Sequence, residues 1–145
     1  MDRLDELARG LQRLPQALEL ATEQVVRDNT AFLEDANTEQ LSQGKDSTGK
    51  DITPEYADLT RTLKEIKGQP TDRVTLRDKG DFYTSIVANL GGKQFEMVAT
   101  DPKSDELQEK YGEEILGLTE DTLEEFRQDY VKPELLEKTR SILGV

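Results

Sequence analysis

The chain contains no cysteine and no histidine. The first absence excludes disulfides, thiolate chemistry and cysteine-based zinc sites, and it fits a protein made in a reducing cytoplasm. The second removes the usual general base and most transition-metal sites. No run approaches the roughly 18 apolar residues of a membrane span. The opening residues, Met1-Asp2-Arg3-Leu4-Asp5-Glu6, carry no apolar signal-peptide core. Lysine and arginine are interspersed with acids, so no basic stripe marks a nucleic-acid surface. Ser85 has no histidine to activate it, and Gly91-Gly92 joins two strand-like runs rather than cradling a phosphate at a helix start. The expectation is a protein with no cofactor, no bound metal, no membrane contact and no catalytic turnover.

What is present is charge. Of 145 residues, 34% are charged and only 34% hydrophobic, enough for one modest core with much of each helix left in water. The net charge of −12 and sequence pI near 4.5 predict a soluble protein that repels nucleic acid and anionic membrane. From residue 101 onward 13 acids face 6 bases, so most of the excess lies in the last third. Glu124, Glu125 and Asp129 are expected on an acidic surface turned to DNA or solvent rather than to assembly contacts.

The chain is organised around residues 75–87. A polar turn, Arg77-Asp78-Lys79-Gly80-Asp81, runs into Phe82-Tyr83-Thr84-Ser85-Ile86-Val87, rich in β-branched and aromatic residues. A second run over 94–100 follows Gly91-Gly92. Alternation predicts a hairpin over 82–100 with a tight turn at 90–93. Phe82, Thr84, Ile86, Ala88, Leu90, Phe95, Met97 and Ala99 are its core-facing positions.

Helices flank the hairpin. Leu4, Leu7, Leu11, Leu14, Leu18, Ala21, Val25 and Phe32 form an apolar stripe within N-terminal helices over 1–43. Pro15 either starts a second helix or kinks the first; the stripe keeps phase across it, which favours two helices along one line. The stripe fits a coiled coil with another chain or packing on this chain's own core, and loss of strict heptad spacing favours the latter. The composition turns polar over 37–53. Asp46, Gly49 and Asp51 lie close enough to suggest a calcium loop, but Lys50 occupies a ligand position, which favours a tight turn. A helix over 54–67 is expected to start with Thr53 as N-cap and Pro54 as first residue, to bury Tyr56, Leu59, Leu63 and Ile66, and to end at Gly68. Helices over 104–144 complete the chain, one ending at Gly112, one capped by Thr119, and a last one begun or kinked by Pro133. The fold class is α+β, a single domain of 1–145 with N-terminal helices, a central antiparallel hairpin or small sheet, and C-terminal helices packed on it.

Four segments carry a resemblance. They are Asp46-Ser47-Thr48-Gly49-Lys50-Asp51-Ile52; Leu59-Thr60 with Lys64; the stretch from Leu76 through Gly80 to Ser85-Ile86; and Leu116-Gly117-Leu118-Thr119-Glu120-Asp121. In this order and spacing they resemble the bacteriophage virion morphogenesis, or tail completion, family over about residues 37–135. Ile52 stands where that family often has Trp, and Lys79 replaces a threonine-like residue, which marks a divergent member. The resemblance implies a structural protein of the virion, at the neck or head-proximal tail end. It would be made in the bacterial host cytoplasm and assembled as a homo-oligomeric ring around the DNA path, against other neck, portal-adaptor or tail proteins. The residues expected to make protein contacts are Asp46, Asp51, Arg77, Asp78, Asp81 and Tyr83. For Gly80, building the turn alone is an equal reading. The other class left open is a small acidic hydrolase or inhibitor with converging carboxylates.

Overall fold

A computed structural model describes residues 2–91 and 94–145. Its element order is α1 (Arg3–Asp28), α2 (Thr30–Ser42), α3 (Asp58–Ile66), α4 (Asp81–Ser85), β1 (Ile86–Gly91), β2 (Gln94–Ala99), α5 (Ser104–Tyr111), α6 (Glu120–Phe126) and α7 (Lys132–Leu143). The two strands pair as an antiparallel hairpin amid helices, so the α+β class expected from the sequence is what the chain adopts. The contacts divide the chain into two compact units. One comprises Met1–Asn29, Leu90–Phe95 and Leu123–Val145; the other comprises Thr30–Asn89 and Glu96–Thr122.

The first unit is built on α1 and α7. Asp2 caps α1 by accepting from the Asp5 amide at 2.9 Å. α1 runs through Pro15 without ending, and the break falls at Asn29 instead. The expected pair of helices meeting at Pro15 is therefore one helix. A proline inside a helix costs about 3 kcal/mol in a lost hydrogen bond and a clash. The long face packed on α7 can offset that. Gly10 allows the close approach, because a Cβ there would lie 3.0 Å from the Ile142 carbonyl oxygen. Leu4 and Leu11, expected within the inward stripe, are exposed. Arg3 donates to the Gly144 carbonyl at 3.0 Å, covering the end of α7.

The second unit holds the main core. Leu33, Asn37 and Leu41 recur at four-residue spacing on α2 and are fully buried. Ile52, Val74, Phe82, Ile86, Met97, Ile115 and Leu118 are buried in the same unit. The polar composition begins at Asn37 while the chain is still helical, and α2 ends at Ser42, close to the expected limit of the N-terminal helices at 43. The Asn37 amide is satisfied across the unit. Its Nδ2 donates to the Ile115 carbonyl at 3.1 Å and its Oδ1 accepts from the Gly117 amide at 2.9 Å. Gln40 continues the pattern, donating to the Gly117 carbonyl and accepting from the Thr119 amide. A helix with these partners keeps its polar residues inside.

Two further expectations are corrected. The hairpin starts at Ile86, not Phe82, because 81–85 forms the short helix α4. Gly80, with φ of 91°, turns the chain into that helix, and Thr84 donates back to the Gly80 carbonyl at 3.0 Å. From Ile86 the alternation holds: Ile86 and Met97 are buried, while Val87, Asn89 and Glu96 are exposed. The expected turn over 90–93 includes Gly92 and Lys93, which lie outside the described residues. The second correction concerns α3. It starts at Asp58 with Ala57 at the N-cap, not at Pro54 with Thr53, and Gly68 follows the last capping residue, Lys67. Its expected buried face is turned outward: Leu59 is 73% exposed, Leu63 49% and Ile66 77%. Lys64, at 8%, is the residue it buries.

C-terminal elements follow expectation. α5 ends at Gly112, the Thr119 hydroxyl accepts from the Thr122 amide at the start of α6, and Gly144 closes α7 with φ of 69°.

Candidate functional site

The inversion of α3 and the turn after residue 75 are one local arrangement in the second unit. Tyr56 lies in the extended stretch before α3. Its hydroxyl accepts from the Thr75 amide at 2.9 Å and the Leu76 amide at 3.2 Å. These bonds hold 54–57 out of the helix and hold Leu76 in a left-handed conformation, φ 57°, that a leucine rarely adopts. Lys64 then fills the inward position. Its Nζ donates to the Arg77 carbonyl at 2.9 Å and lies 4.8 Å over the Tyr56 ring. A lysine can bury its aliphatic stem where the ammonium retains a carbonyl and an aromatic face. That combination, rather than the leucines, sets the phase of α3.

Around this point lies a cavity of about 180 Å³, lined by Tyr56, Lys64, the turn residues 76–82, Lys103, Leu107 and Tyr111. Four cationic side chains border it (Lys64, Arg77, Lys79 and Lys103) against the carboxylates Asp78 and Asp81. The balance is locally positive in a chain of net −12. Asp78 is engaged by Lys67 at 2.7 Å and Gln69 donates to its carbonyl at 2.8 Å. The Lys67 hydrogen bond holds the Asp78 carboxyl below the usual carboxylate range. Any stability from this pair is present above the ordinary aspartate range and is lost as pH falls through the lowered value. It is small, because the pair is solvent-exposed.

Tyr83 lies beneath the turn rather than on the cavity wall. Its hydroxyl donates to the Thr75 carbonyl, and the Arg77 guanidinium is 5.9 Å from its ring centre. Burial, reinforced by the neighbouring Tyr56, pushes its phenol well above the usual tyrosine value, so it remains a donor. Of the interaction residues expected from sequence, Arg77, Asp78 and Asp81 therefore come together at one cavity, with Tyr83 supporting them.

Asp46 and Asp51 belong to a separate loop. Asp46 Oδ1 accepts from the Thr48 amide at 2.9 Å, the Thr48 hydroxyl and the Lys50 amide, so the loop closes on its own carboxylate. Asp51 is paired with Lys45. This is the tight turn expected there. Glu124, Glu125 and Asp129 are exposed on α6 and the wider helical turn after it. Glu124 accepts from Gln128 at 2.9 Å and Arg127 at 3.2 Å; these hydrogen bonds, Gln128's first, lower its carboxyl below the usual range.

Sequence reasoning missed Tyr56 as the organising hydroxyl, Lys64 as the buried cation, and the contributions of Lys103, Leu107 and Tyr111. Lys64 is out of phase with the leucines; the resemblance marks it beside Leu59-Thr60, but nothing in the helical pattern places it inward. Replacing Tyr56 with phenylalanine tests the arrangement. Two amides at Thr75 and Leu76 lose their acceptor, so a loss of about 1–3 kcal/mol is expected in urea denaturation. Amide exchange at 75–76 should rise with it, and unchanged exchange there would refute the role given to the hydroxyl.

Among the described residues no helix is long and apolar enough to cross a membrane. Comparison with protein-family models, curated proteins and solved structures found no match.

Proposed function

We propose that this chain is a structural protein of the bacteriophage virion. It works at the neck or head-proximal end of the tail as a ring around the DNA path and makes protein contacts rather than catalysing a reaction. The observation that supports this reading is where the four segments of the resemblance lie. All belong to the second unit, although they are spread from residue 46 to residue 121. They touch in pairs. The first meets the fourth at Gly117, where an added Cβ would fall 3.1 Å from Ser47 Cβ. The second meets the third through Lys64 and the Arg77 carbonyl. A motif set that folds into one mutually supporting body is what a shared architecture requires. The cavity gives less support to a hydrolase or inhibitor with converging carboxylates, because cations outnumber acids around it and Asp78 is held ionised by Lys67.

In this reading Arg77, Asp78 and Asp81 present the contact surface, Tyr83 holds it, and Glu124, Glu125 and Asp129 form part of an acidic wall that does not retain passing DNA. Negative-stain imaging of the purified chain, alone and with neck-fraction proteins, is expected to show closed rings with a central opening. Gold label on the chain should fall at the head–tail junction of particles. A compact monomer that hydrolyses a peptidoglycan or ester panel would overturn the proposal.

A further inference from the structure

We infer that the cavity beside the turn binds a small carboxylate carried on a ring-sized apolar body, with Lys64 as the cation that receives it. The side chains lining the cavity divide by exposure. Lys64, Leu76 and Phe82 are buried, and Tyr56, Leu107 and Tyr111 are half-buried; these form the walls. Arg77, Asp78, Lys79, Asp81 and Lys103 are exposed and form the rim. The walls are therefore apolar or aromatic except at one residue, and that residue is a lysine. Walls and rim belong to the second unit alone.

The chemistry of the ligand follows from what Lys64 lacks. A lysine ammonium carries three N–H donors. One goes to the Arg77 carbonyl at 2.9 Å, and the Tyr56 ring centre stands 4.8 Å from the nitrogen. Both partners are neutral. Among the described residues no carboxylate pairs with Lys64, and Asp78 on the rim is taken by Lys67 at 2.7 Å. A buried cation without a counter-charge is costly, and an anion entering the cavity supplies one. The rim favours the same sign, because Arg77, Lys79 and Lys103 form no ion pair among the described residues and stand against Asp81. Size sets the rest of the ligand. The cavity holds about 180 Å³, and an apolar cavity of about 150 Å³ takes benzene. A bare inorganic anion would answer the lysine but leave the apolar walls uncovered. A neutral ring would cover the walls but leave the charge unanswered. A carboxylate on a ring does both.

The inference goes beyond the virion reading and does not rest on it: rings without ligand binding refute only this site, and binding without rings refutes only that reading. The probes are phenylacetate, its neutral isostere phenylacetamide, and inorganic phosphate, each titrated into the full chain and followed by amide chemical shifts. Phenylacetate is expected to bind with a Kd of about 1 mM or tighter and to shift the amides of Tyr56, Leu107, Tyr111 and the turn. Phenylacetamide and phosphate should each bind about tenfold more weakly or worse, because each keeps only half of the recognition. Leu107→Trp fills the cavity from α5 and leaves Lys64 in place; it should abolish the shifts with circular dichroism unchanged. Lys64→Met should reduce the acid to the affinity of the amide. Where that variant does not fold, the acid-to-amide ratio of the wild type and the Leu107→Trp result decide. Absence of phenylacetate shifts up to about 10 mM, equal binding of acid and amide, equal binding of phosphate, or binding that survives Leu107→Trp would overturn the inference.

Discussion

Replacing Asn37 with alanine is expected to lower the unfolding free energy by about 2–5 kcal/mol, although a methyl group fits the site sterically. Asn37 is fully buried, and its amide joins α2 to the Ile115 carbonyl and the Gly117 amide. Each backbone group left without a partner in a buried setting costs about 1–3 kcal/mol. Gly117 has little room to find another, since its φ of 131° is accessible to few residues other than glycine. The measurement is urea denaturation with the slope unchanged, so that the midpoint alone reports the loss. A loss for Asn37→Ala below about 0.5 kcal/mol would mean that these bonds do not hold the core of this unit together.

The second large effect is expected at Phe82. It is buried in the same unit and forms part of the wall of the cavity beside the turn. Phe82→Ala removes most of an aromatic side chain from a site already bordered by empty space, and a loss of about 3–5 kcal/mol follows from transfer and cavity terms together. The turn carrying Arg77, Asp78 and Asp81 should loosen as well, visible as faster amide exchange over 77–81. Phe82→Leu should cost less than the alanine change, because it keeps much of the apolar volume. If the alanine variant loses under about 1 kcal/mol, the ring is not part of this core and the account of the turn fails with it.

Phe82 also shows how far sequence reading reached. Strand alternation placed it inward, and it is inward, but on a helical turn: Gly80 starts α4 and the strand begins only at Ile86, four residues after Phe82. A β-rich composition does not distinguish a strand from the short turn that launches it, because both accept aromatic and β-branched residues over a few positions. At the candidate site, the polar turn and its three charged residues could be read directly. Their grouping around a cavity with Tyr56, Lys64 and Tyr111 could not, since those residues come from other segments, before and after the turn in the chain.

What the sequence alone determined is local. The hairpin alternation from Ile86, the Thr119 cap and the glycine endings at Gly112 and Gly144 follow from side-chain period and backbone freedom within a few residues. The tertiary structure decided what depends on distant partners. Pro15 stays inside α1, which packs on α7. Asn37 lies buried in a helix because two backbone groups nearly 80 residues away receive it. The leucines of α3 face outward because the Tyr56 hydroxyl and the Arg77 carbonyl claim the opposite side. An apolar stripe predicts that a face will be covered; which face turns inward is set by whether buried hydrogen bonds on the other side cost more to lose than the stripe gains by burial.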